Sequence, residues 1–262
     1  MGKFIVLVFF VTLTFTSNGQ TKLENFIDSS ANQILRGSDI KSLSIGVVIN
    51  NKVQIFYYGD KGDGTKPNNT NYFEIASLTK TFTGLLLAQA IHDKKINLDD
   101  DVRKYIVGDF SNLQYKGNPI TFRNLATHMG GLPYTFPNKP EIFVNPDYDK
   151  LPFVIDSLER GFTKSDFFRE LAKVKLDTVP GIRFNYSNVG ANLTAYILEN
   201  VYKSSYENLL QKFIFKQAKM KMTKLELNKI EIKNLVQGYN PKGIKMPFYS
   251  SSIRAAGALK ST

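Results

Sequence analysis

Ser77 and Lys80 lie three positions apart, where an extended segment gives way to an apolar helix. Positions i and i+3 share one face of a helix, so the lysine amine can reach the serine hydroxyl. A serine hydroxyl is a weak nucleophile unless a base lies beside it. A lysine can act as that base when burial or a second cation lowers its pKa. The pair therefore predicts an acylatable serine.

The Ser-x-x-Lys spacing alone is weakly specific, because the chain contains a second copy at Ser38 and Lys41. That copy falls in the short connection between a helix and a strand, with no apolar run behind it, and we interpret it as a surface loop. For Ser77 the alternative is structural: a serine that caps the helix and a solvated lysine in the first turn. The four residues and the helix start leave both interpretations open.

The composition excludes several other kinds of site. The 262 residues contain no cysteine, which excludes thiol nucleophiles, disulfides and cysteine zinc sites. The only histidines, His92 and His128, lie on separate segments, so a histidine-rich metal site is excluded as well. No Gly-x-Ser-x-Gly segment is present, which argues against an α/β-hydrolase. We expect no cofactor and no metal, and a base other than histidine.

The charge and the N-terminus bear on partners and location. The net charge of +11 comes mainly from scattered lysines without interleaved arginines and aromatics, so we expect no nucleic-acid partner; attraction to anionic envelope polymers is a weaker alternative. Residues 1–19 are typical of a secretory signal, with Lys3, an apolar run and a cut ahead of Gln20. An uncleaved anchor is the alternative. We expect export to the periplasm or the exterior, with no stable membrane span after cleavage.

The hydrophobic pattern predicts an α+β fold, with a helix and a hairpin first and mostly helices afterwards. A loop rich in proline and aromatic residues at 133–152 is either a functional cover or a surface insertion. The expected elements are a helix over 23–35, strands over 44–49 and 53–58, a long helix after Ser77 to about Asp93, a short helix through Ile106, and helices over 121–128, 165–174, 189–202 and 206–217.

A second group with chemical potential, Tyr186-Ser187-Asn188, follows a Pro-Gly turn and precedes a helix. A tyrosine oxygen near a lysine ammonium ionises at reduced cost, so Tyr186 and Lys80 could share the proton of Ser77. Asn188 offers a donor and an acceptor suited to holding Lys80 and a substrate amide. The structural alternative is a buried tyrosine beside a helix cap.

With these elements in order, the chain resembles the serine β-lactamase and penicillin-binding protein family, particularly its class C branch and the related D-alanyl-D-alanine peptidases and esterases. The resemblance covers nearly all of the mature chain. Its five landmarks are Phe73 to Thr81; Leu98-Asp99-Asp100-Asp101-Val102; Ile120-Thr121 with Leu125 to Pro133; Pro180-Gly181 with Phe184 to Asn188; and Gln237-Gly238-Tyr239 with Ala255 to Thr262.

The resemblance implies a β-lactamase/transpeptidase-like fold, an antiparallel sheet flanked by helices plus a mostly helical subdomain. It also implies that Ser77 forms an acyl-enzyme that water releases, that Lys80 and Tyr186 shuttle protons, and that Asn188 orients Lys80 and substrate. The backbone N–H of Ser77 would supply one donor to the oxyanion hole. His128 falls in a structural motif of the family, so we expect a packed or hydrogen-bonded histidine rather than a base.

The family's third motif, Lys or His followed by Ser or Thr and then Gly, has no match after Asn188. We therefore expect a fragment of a longer protein, with C-terminal strands of the sheet missing; the alternative is a short homologue that has lost catalysis. The expected organisation is a signal peptide over 1–19 and one domain over 20–262. Within that domain, 20–110 holds the N-terminal helix, hairpin and nucleophile helix, 111–235 the helical subdomain, and 236–262 the truncated return to the sheet.

Two functions follow as hypotheses. The first is an exported serine hydrolase acting on an amide or ester, with D-Ala peptides of the cell wall, β-lactams and small esters as candidate substrates. The second is a non-catalytic homologue that binds peptidoglycan or penicillin as a sensor, or an inactive fragment. The sequence does not predict which substrate is used or the oligomeric state.

Overall fold

A computed structural model describes residues 18–249 and 254–262, which form two compact units, one ending at Pro67 and the other beginning at Asn68. The expected signal peptide over 1–19 lies outside the described residues except for its last two positions, and it stays a prediction. Within the described ranges, no helix combines the length and the apolar character needed to cross a bilayer.

The first unit contains one helix and one hairpin. Helix α1 covers Asn18–Gly37, and the antiparallel strands β1 (Ser42–Ile49) and β2 (Lys52–Gly59) pair in full register from Ser42 opposite Gly59 to Ile49 opposite Lys52. The two turn residues, Asn50 and Asn51, both have positive φ, at 50° and 61°, as a two-residue hairpin turn requires. The expected helix and hairpin are therefore confirmed.

A small core holds the first unit together. Tyr58 of β2 is buried in one cluster with Ile27 and Ala31 of α1. Its hydroxyl donates a hydrogen bond of 2.5 Å to Asp28, and burial, together with this carboxylate, raises the pKa of Tyr58 to about 12. The phenol therefore stays protonated, and its hydroxyl keeps its partner at neutral pH.

The second unit is mostly helical. Its helices are α2 (Thr79–His92), α3 (Phe122–Ala126), α4 (Leu151–Glu159), α5 (Lys164–Leu171), α6 (Asn188–Tyr202) and α7 (Tyr206–Leu210), which continues into a π-helical turn over Gln211–Phe215. Short 3-10 turns cover 76–78, 102–105, 140–143 and 231–234. Helix α6 is buried around most of its circumference, as expected for the central helix of a core.

Two short antiparallel pairs complete the second unit. Strands β4 (Gln114–Tyr115) and β5 (Asn118–Pro119) form a tight hairpin, whereas β3 (Phe73–Glu74) pairs with β6 (Lys260–Ser261) from the far end of the chain. The second pairing matters for function, because β3 leads directly into the turn that carries Ser77. It brings the segment over 254–262 beside that turn.

The predicted helices are present with differences: the segment through Ile106 forms only a 3-10 turn over 102–105, the helix expected over 165–174 ends at Leu171, and the one expected over 206–217 is α-helical only to Leu210. The helix expected over 121–128 ends at Ala126, and it begins with a capping box in which Thr121 and Asn124 bond reciprocally. Helix α4 was not predicted, because the prolines before it indicated a loop. Pro152 lies in its first turn, where the missing N–H costs no intrahelical hydrogen bond. The α+β class is confirmed.

Candidate active site

Ser77 lies in a 3-10 turn between strand β3 and helix α2. The residue before it, Ala76, has a φ of +45°, a left-handed conformation that costs a residue with a Cβ about 1–2 kcal/mol. Ser77 is exposed, whereas Thr79 and Thr83 of α2 are buried and anchor the helix below it. The strained turn therefore presents the Ser77 hydroxyl to solvent at the start of a helix whose buried threonines hold it in the core.

The structure brings three of the four sequence-predicted residues into direct contact. The Lys80 ammonium donates a hydrogen bond of 3.0 Å to Ser77 Oγ, and the Tyr186 hydroxyl donates one of 2.9 Å to the same oxygen. Lys80 Nζ also lies 4.9 Å from the centroid of the Tyr186 ring. Ser77 thus faces two groups able to accept its proton once either has lost its own.

Both of these groups have shifted pKa values. Burial lowers the pKa of Lys80, and interaction with Tyr186 only partly opposes the shift. Burial acts to raise the pKa of Tyr186, but interactions with Lys80 and Ser77 outweigh it, so the pKa of Tyr186 is lowered. Because the two groups interact, they titrate as a pair, and the pair loses its first proton at a lower pH than an ordinary lysine or tyrosine does.

Tyr186 is held in place by hydrogen bonds between two loops, one over 128–134 and the other over 181–188. The backbone N–H of Asn185 donates to the His128 carbonyl at 2.7 Å, and that of Asn188 donates to the Tyr134 carbonyl at 2.7 Å. Between them, the Ser187 hydroxyl donates to the Pro133 carbonyl at 2.6 Å and also accepts the Gly190 N–H, capping α6. Tyr186 lies between the residues that make these hydrogen bonds.

His128 is packed and hydrogen-bonded, as expected. Its Nδ1 accepts the backbone N–H of Ser187 at 3.2 Å, and its ring lies against Tyr186 with centroids 4.3 Å apart. Burial and the nearby charge of Lys80 lower the pKa of His128. The imidazole is therefore neutral at neutral pH.

Asn188, the fourth predicted residue, lines the same cavity as Ser77. Among the described residues, no hydrogen bond joins its side chain to Lys80. The backbone carbonyl of Ala256 takes that place and accepts from Lys80 Nζ at 2.6 Å. Sequence reasoning did not identify this acceptor, because a backbone carbonyl leaves no trace in residue type; the only signal was the resemblance of the segment Ala255 to Thr262.

A cavity of about 390 Å³ opens at Ser77. Much of its wall is apolar, and Thr135 and Tyr148 bring the loop at 133–152 into that wall, which favours the functional interpretation of this loop. A larger cavity of about 1000 Å³ shares Thr135 but not Ser77, so the smaller one is the candidate substrate pocket. The apolar wall is formed by Tyr148, Leu151, Pro152, Ile155, Phe248 and Tyr249.

The second Ser-x-x-Lys copy has a purely structural setting, as expected. The Ser38 hydroxyl donates to the Ile34 carbonyl at 2.8 Å, just beyond the end of α1, and both Ser38 and Lys41 are exposed. In the described ranges, no group of three acidic, histidine or cysteine side chains could hold a metal ion.

Comparison with known proteins finds one matching family model and relatives of similar sequence. The sequence model of the family described as Beta-lactamase matches residues 27–262. Protein flp of Staphylococcus aureus (strain MRSA252) is 27% identical over 231 residues, which make up 87% of this chain and 42% of that protein. The D-alanyl-D-alanine-carboxypeptidase/endopeptidase AmpH of Escherichia coli (strain K12) is 29% identical over 205 residues, 76% of this chain and 49% of the relative. The chain thus spans less than half the length of these relatives.

Solved structures show the same fold. A class C beta lactamase superposes with a TM-score of 0.76 at 22% identity, covering 94% of this chain and 64% of that one. A beta-lactamase/D-alanine carboxypeptidase from Yersinia pestis, solved with citrate, gives a TM-score of 0.74 at 25% identity, with 94% and 66% covered. The expected β-lactamase/transpeptidase-like fold is confirmed, whereas the expected division of residues 20–262 stays a prediction.

Proposed function

Because the chain belongs to the Beta-lactamase family, we propose that it is an exported serine hydrolase that cleaves an amide or ester through an acyl-enzyme on Ser77. One observation carries the proposal: Ser77 Oγ lies within 3.0 Å of both Lys80 Nζ and the Tyr186 hydroxyl. Export rests on the pattern of residues 1–19 alone.

The reaction starts when Ser77 Oγ attacks the substrate carbonyl carbon. The serine O–H bond breaks as the new C–O bond forms, and the proton passes to the pair formed by Tyr186 and Lys80. The same pair then returns the proton to the leaving nitrogen or oxygen as the scissile bond breaks. In the second half, a water molecule loses a proton to the pair and attacks the acyl carbon. The bond between that carbon and Ser77 Oγ then breaks, and the pair returns the proton to Ser77 Oγ.

The oxyanion that forms on the carbonyl needs hydrogen-bond donors. The backbone N–H of Ser77 is one candidate, because N–H groups in the first turn of a helix have no intrahelical acceptor. The family's third motif would place a second donor on a strand, and no such triplet follows Asn188 in this sequence. We therefore assign one donor and leave the second unassigned.

The candidate substrates are D-Ala peptides, β-lactams and small esters. Two similar proteins carry carboxypeptidase in their names, which supports a D-alanyl peptide, and the AmpH name adds endopeptidase. Asn188 lines the cavity beside Ser77, where its side-chain amide can bond to a substrate amide. The apolar wall of the cavity suits the carbon skeleton of any of the three classes.

A covalent-labelling experiment tests the proposal. A fluorophosphonate probe and a fluorescent penicillin are incubated with the wild-type chain, with Ser77→Ala and with Ser38→Ala, and the labelled residue is located by mass spectrometry. We expect labelling of the wild type and of Ser38→Ala, whose serine belongs to the structural copy, and none of Ser77→Ala. Absence of labelling in a well-folded wild type would overturn the proposal.

The second hypothesis is a protein that binds penicillin or peptidoglycan without turning it over. In such a protein Ser77 is acylated but the deacylation transition state is poorly stabilised, so the acyl group stays on the serine. The protein labelled with the fluorescent penicillin separates the two hypotheses, because its acyl ester on Ser77 can be hydrolysed whereas a fluorophosphonate adduct is not. Release of label over minutes, with repeated turnover of a chromogenic ester, indicates a hydrolase; label that persists for hours indicates the sensor.

A further inference from the structure

The Tyr186 phenol packs against the imidazole ring of His128. The two rings lie 4.3 Å apart, centroid to centroid, with the two planes inclined by 31°. Phe184 also contacts the imidazole, edge to face, with centroids 6.0 Å apart. The position of the Tyr186 hydroxyl therefore depends on where the His128 ring lies.

The hydrogen bond of His128 determines which form of the ring fits. Nδ1 accepts the Ser187 N–H at 3.2 Å, so the neutral ring carries its proton on Nε2. A protonated ring would direct an Nδ1–H at the Ser187 N–H, and two donors cannot bond to each other. Lys80 and Tyr186 are the titratable groups that face the ring, and a second cation beside Lys80 would be repelled.

The same residue joins the two loops through its backbone. The His128 carbonyl accepts the Asn185 N–H at 2.7 Å, one residue before Tyr186, while its side chain bonds to Ser187, one residue after. His128 thus contacts the residues on both sides of Tyr186 as well as its ring. Its φ of +57°, in the left-handed region, is part of the geometry that allows both bonds.

We propose that His128 is a positioning residue for Tyr186: the neutral imidazole holds the phenol against Ser77, and protonation of the imidazole releases it. This inference rests on the proposed function, because the reactivity of Ser77 is one of its readouts. The proton that binds Nδ1 comes from solvent and no covalent bond changes. The consequence is a loss of acylation at acidic pH that adds to the titration of Lys80 and Tyr186 themselves.

Two matched variants separate the features of the ring. His128→Asn keeps an acceptor near the position of Nδ1, tolerates the left-handed backbone and never becomes protonated. His128→Phe keeps an aromatic ring against Tyr186 but has no acceptor. We expect fluorophosphonate labelling of Ser77 to slow about tenfold in His128→Phe, the effect of one lost hydrogen bond, and by a smaller factor in His128→Asn, which keeps that bond but loses the ring contact.

A double-mutant cycle with Tyr186→Phe tests whether His128 acts through the phenol. If it does, His128→Phe slows labelling when Tyr186 is present and has no further effect when the hydroxyl is absent. An equal slowing in both backgrounds would contradict the proposal, as would a His128→Phe rate equal to that of the wild type.

Nuclear magnetic resonance gives a readout that does not need activity. The chain has only two histidines, so His92→Gln assigns the imidazole signals. We expect His128 to carry its proton on Nε2 and to titrate below the usual 6.5, with the protection of the Ser187 amide falling about tenfold across the same midpoint. If the wild type is never labelled but these signals behave as described, the proposed function fails and the role of His128 stands. If the protection of the Ser187 amide does not change across the His128 titration, the proposed role of His128 is wrong.

Discussion

The carbonyl oxygen of Ala256 accepts a hydrogen bond from the Lys80 ammonium at 2.6 Å, across 176 positions of sequence. The same ammonium donates to Ser77, so one lysine joins this serine to a segment near the C-terminal end of the described chain. The carbonyl stabilises the charged lysine, while burial favours the neutral one. In the proposed mechanism, the balance between the two governs when Lys80 can act as a base.

Replacing Lys80 should abolish most acylation. We expect Lys80→Ala and Lys80→Arg both to slow fluorophosphonate labelling by about 100-fold or more, because alanine has no basic group and arginine stays protonated. The rate constant of labelling measures this directly. Lys41→Ala, in the structural copy, is the control and should label at the wild-type rate. A Lys80→Arg protein as fast as the wild type would show that the lysine serves only as a charge.

The labelling rate should rise with pH. The pair formed by Lys80 and Tyr186 accepts the serine proton only after losing one of its own, so the reactive form appears as pH increases. Because the pKa values of Lys80 and Tyr186 are lowered from 10.5 and 10.0, we expect the rise to be complete before those values are reached. A rate–pH profile with a probe that does not titrate provides the measurement. A labelling rate that starts to rise only above these ordinary pKa values would refute the lowered pKa values of Lys80 and Tyr186.

Removing the Tyr186 hydroxyl isolates its contribution. Tyr186→Phe loses the 2.9 Å bond to Ser77 but keeps the ring against His128, so the loops should stay in place. We expect labelling to slow by about 100-fold with little change in the thermal midpoint. Circular dichroism and the labelling rate together check this, and wild-type labelling by a folded Tyr186→Phe would leave Lys80 as the sole base.

Thr83 should matter for stability as well as for the site. Its hydroxyl donates to the Ala255 carbonyl at 2.9 Å and lies 2.8 Å from the buried Tyr206 hydroxyl, so Tyr206 donates to it. Thr83→Val leaves both groups without this partner, and we expect a loss of about 1–3 kcal/mol in the free energy of unfolding. Labelling should slow too, because Ala255 precedes the carbonyl that bonds to Lys80.

Urea unfolding at neutral pH measures the loss. Thr83→Ser keeps the hydroxyl and is the matched control; it should retain most of the stability and the labelling rate. Equal stability of the valine and serine variants would show that the hydroxyl contributes nothing.

Glu74 should make stability depend on pH. Burial raises its pKa above 4.5, although the Tyr249 N–H that donates to it at 2.7 Å and the charge of Lys260 oppose the shift. The folded state therefore binds this proton more tightly than the unfolded chain. The corresponding stability is fully present below about pH 4.5 and is lost as pH rises through the raised pKa.

The neutral variant Glu74→Gln should remove that dependence. Its amide oxygen can still accept the Tyr249 N–H, so we expect stability equal to the wild type near pH 4 and greater above the raised pKa. Thermal unfolding between pH 4 and 8 measures the difference. Glu141→Gln, at an exposed position, is the control and should follow the wild type. A Glu74→Gln protein less stable than the wild type at pH 8 would contradict the assignment.

Much of the site could be predicted from the sequence, because its parts are local. Ser77 and Lys80 share a helix face through their spacing, and Tyr186 follows a Pro-Gly turn beside a helix cap. The hairpin turn at Asn50 and Asn51 is equally local, since asparagine tolerates positive φ. Helix α4 was missed because proline in a first turn cannot be told from proline in a loop without its surroundings.

The sequence by itself determined which residues are candidates for the chemistry of the proposed function: a serine, a lysine and a tyrosine in a chain without cysteine. Only the tertiary structure decided that Ala256, not Asn188, bonds to Lys80, and that His128 supports Tyr186. The physical reason is that a backbone carbonyl exists at every residue and a stacked ring has no sequence spacing. Such contacts exist only once β3 has paired with β6 and the two loops have bonded to each other.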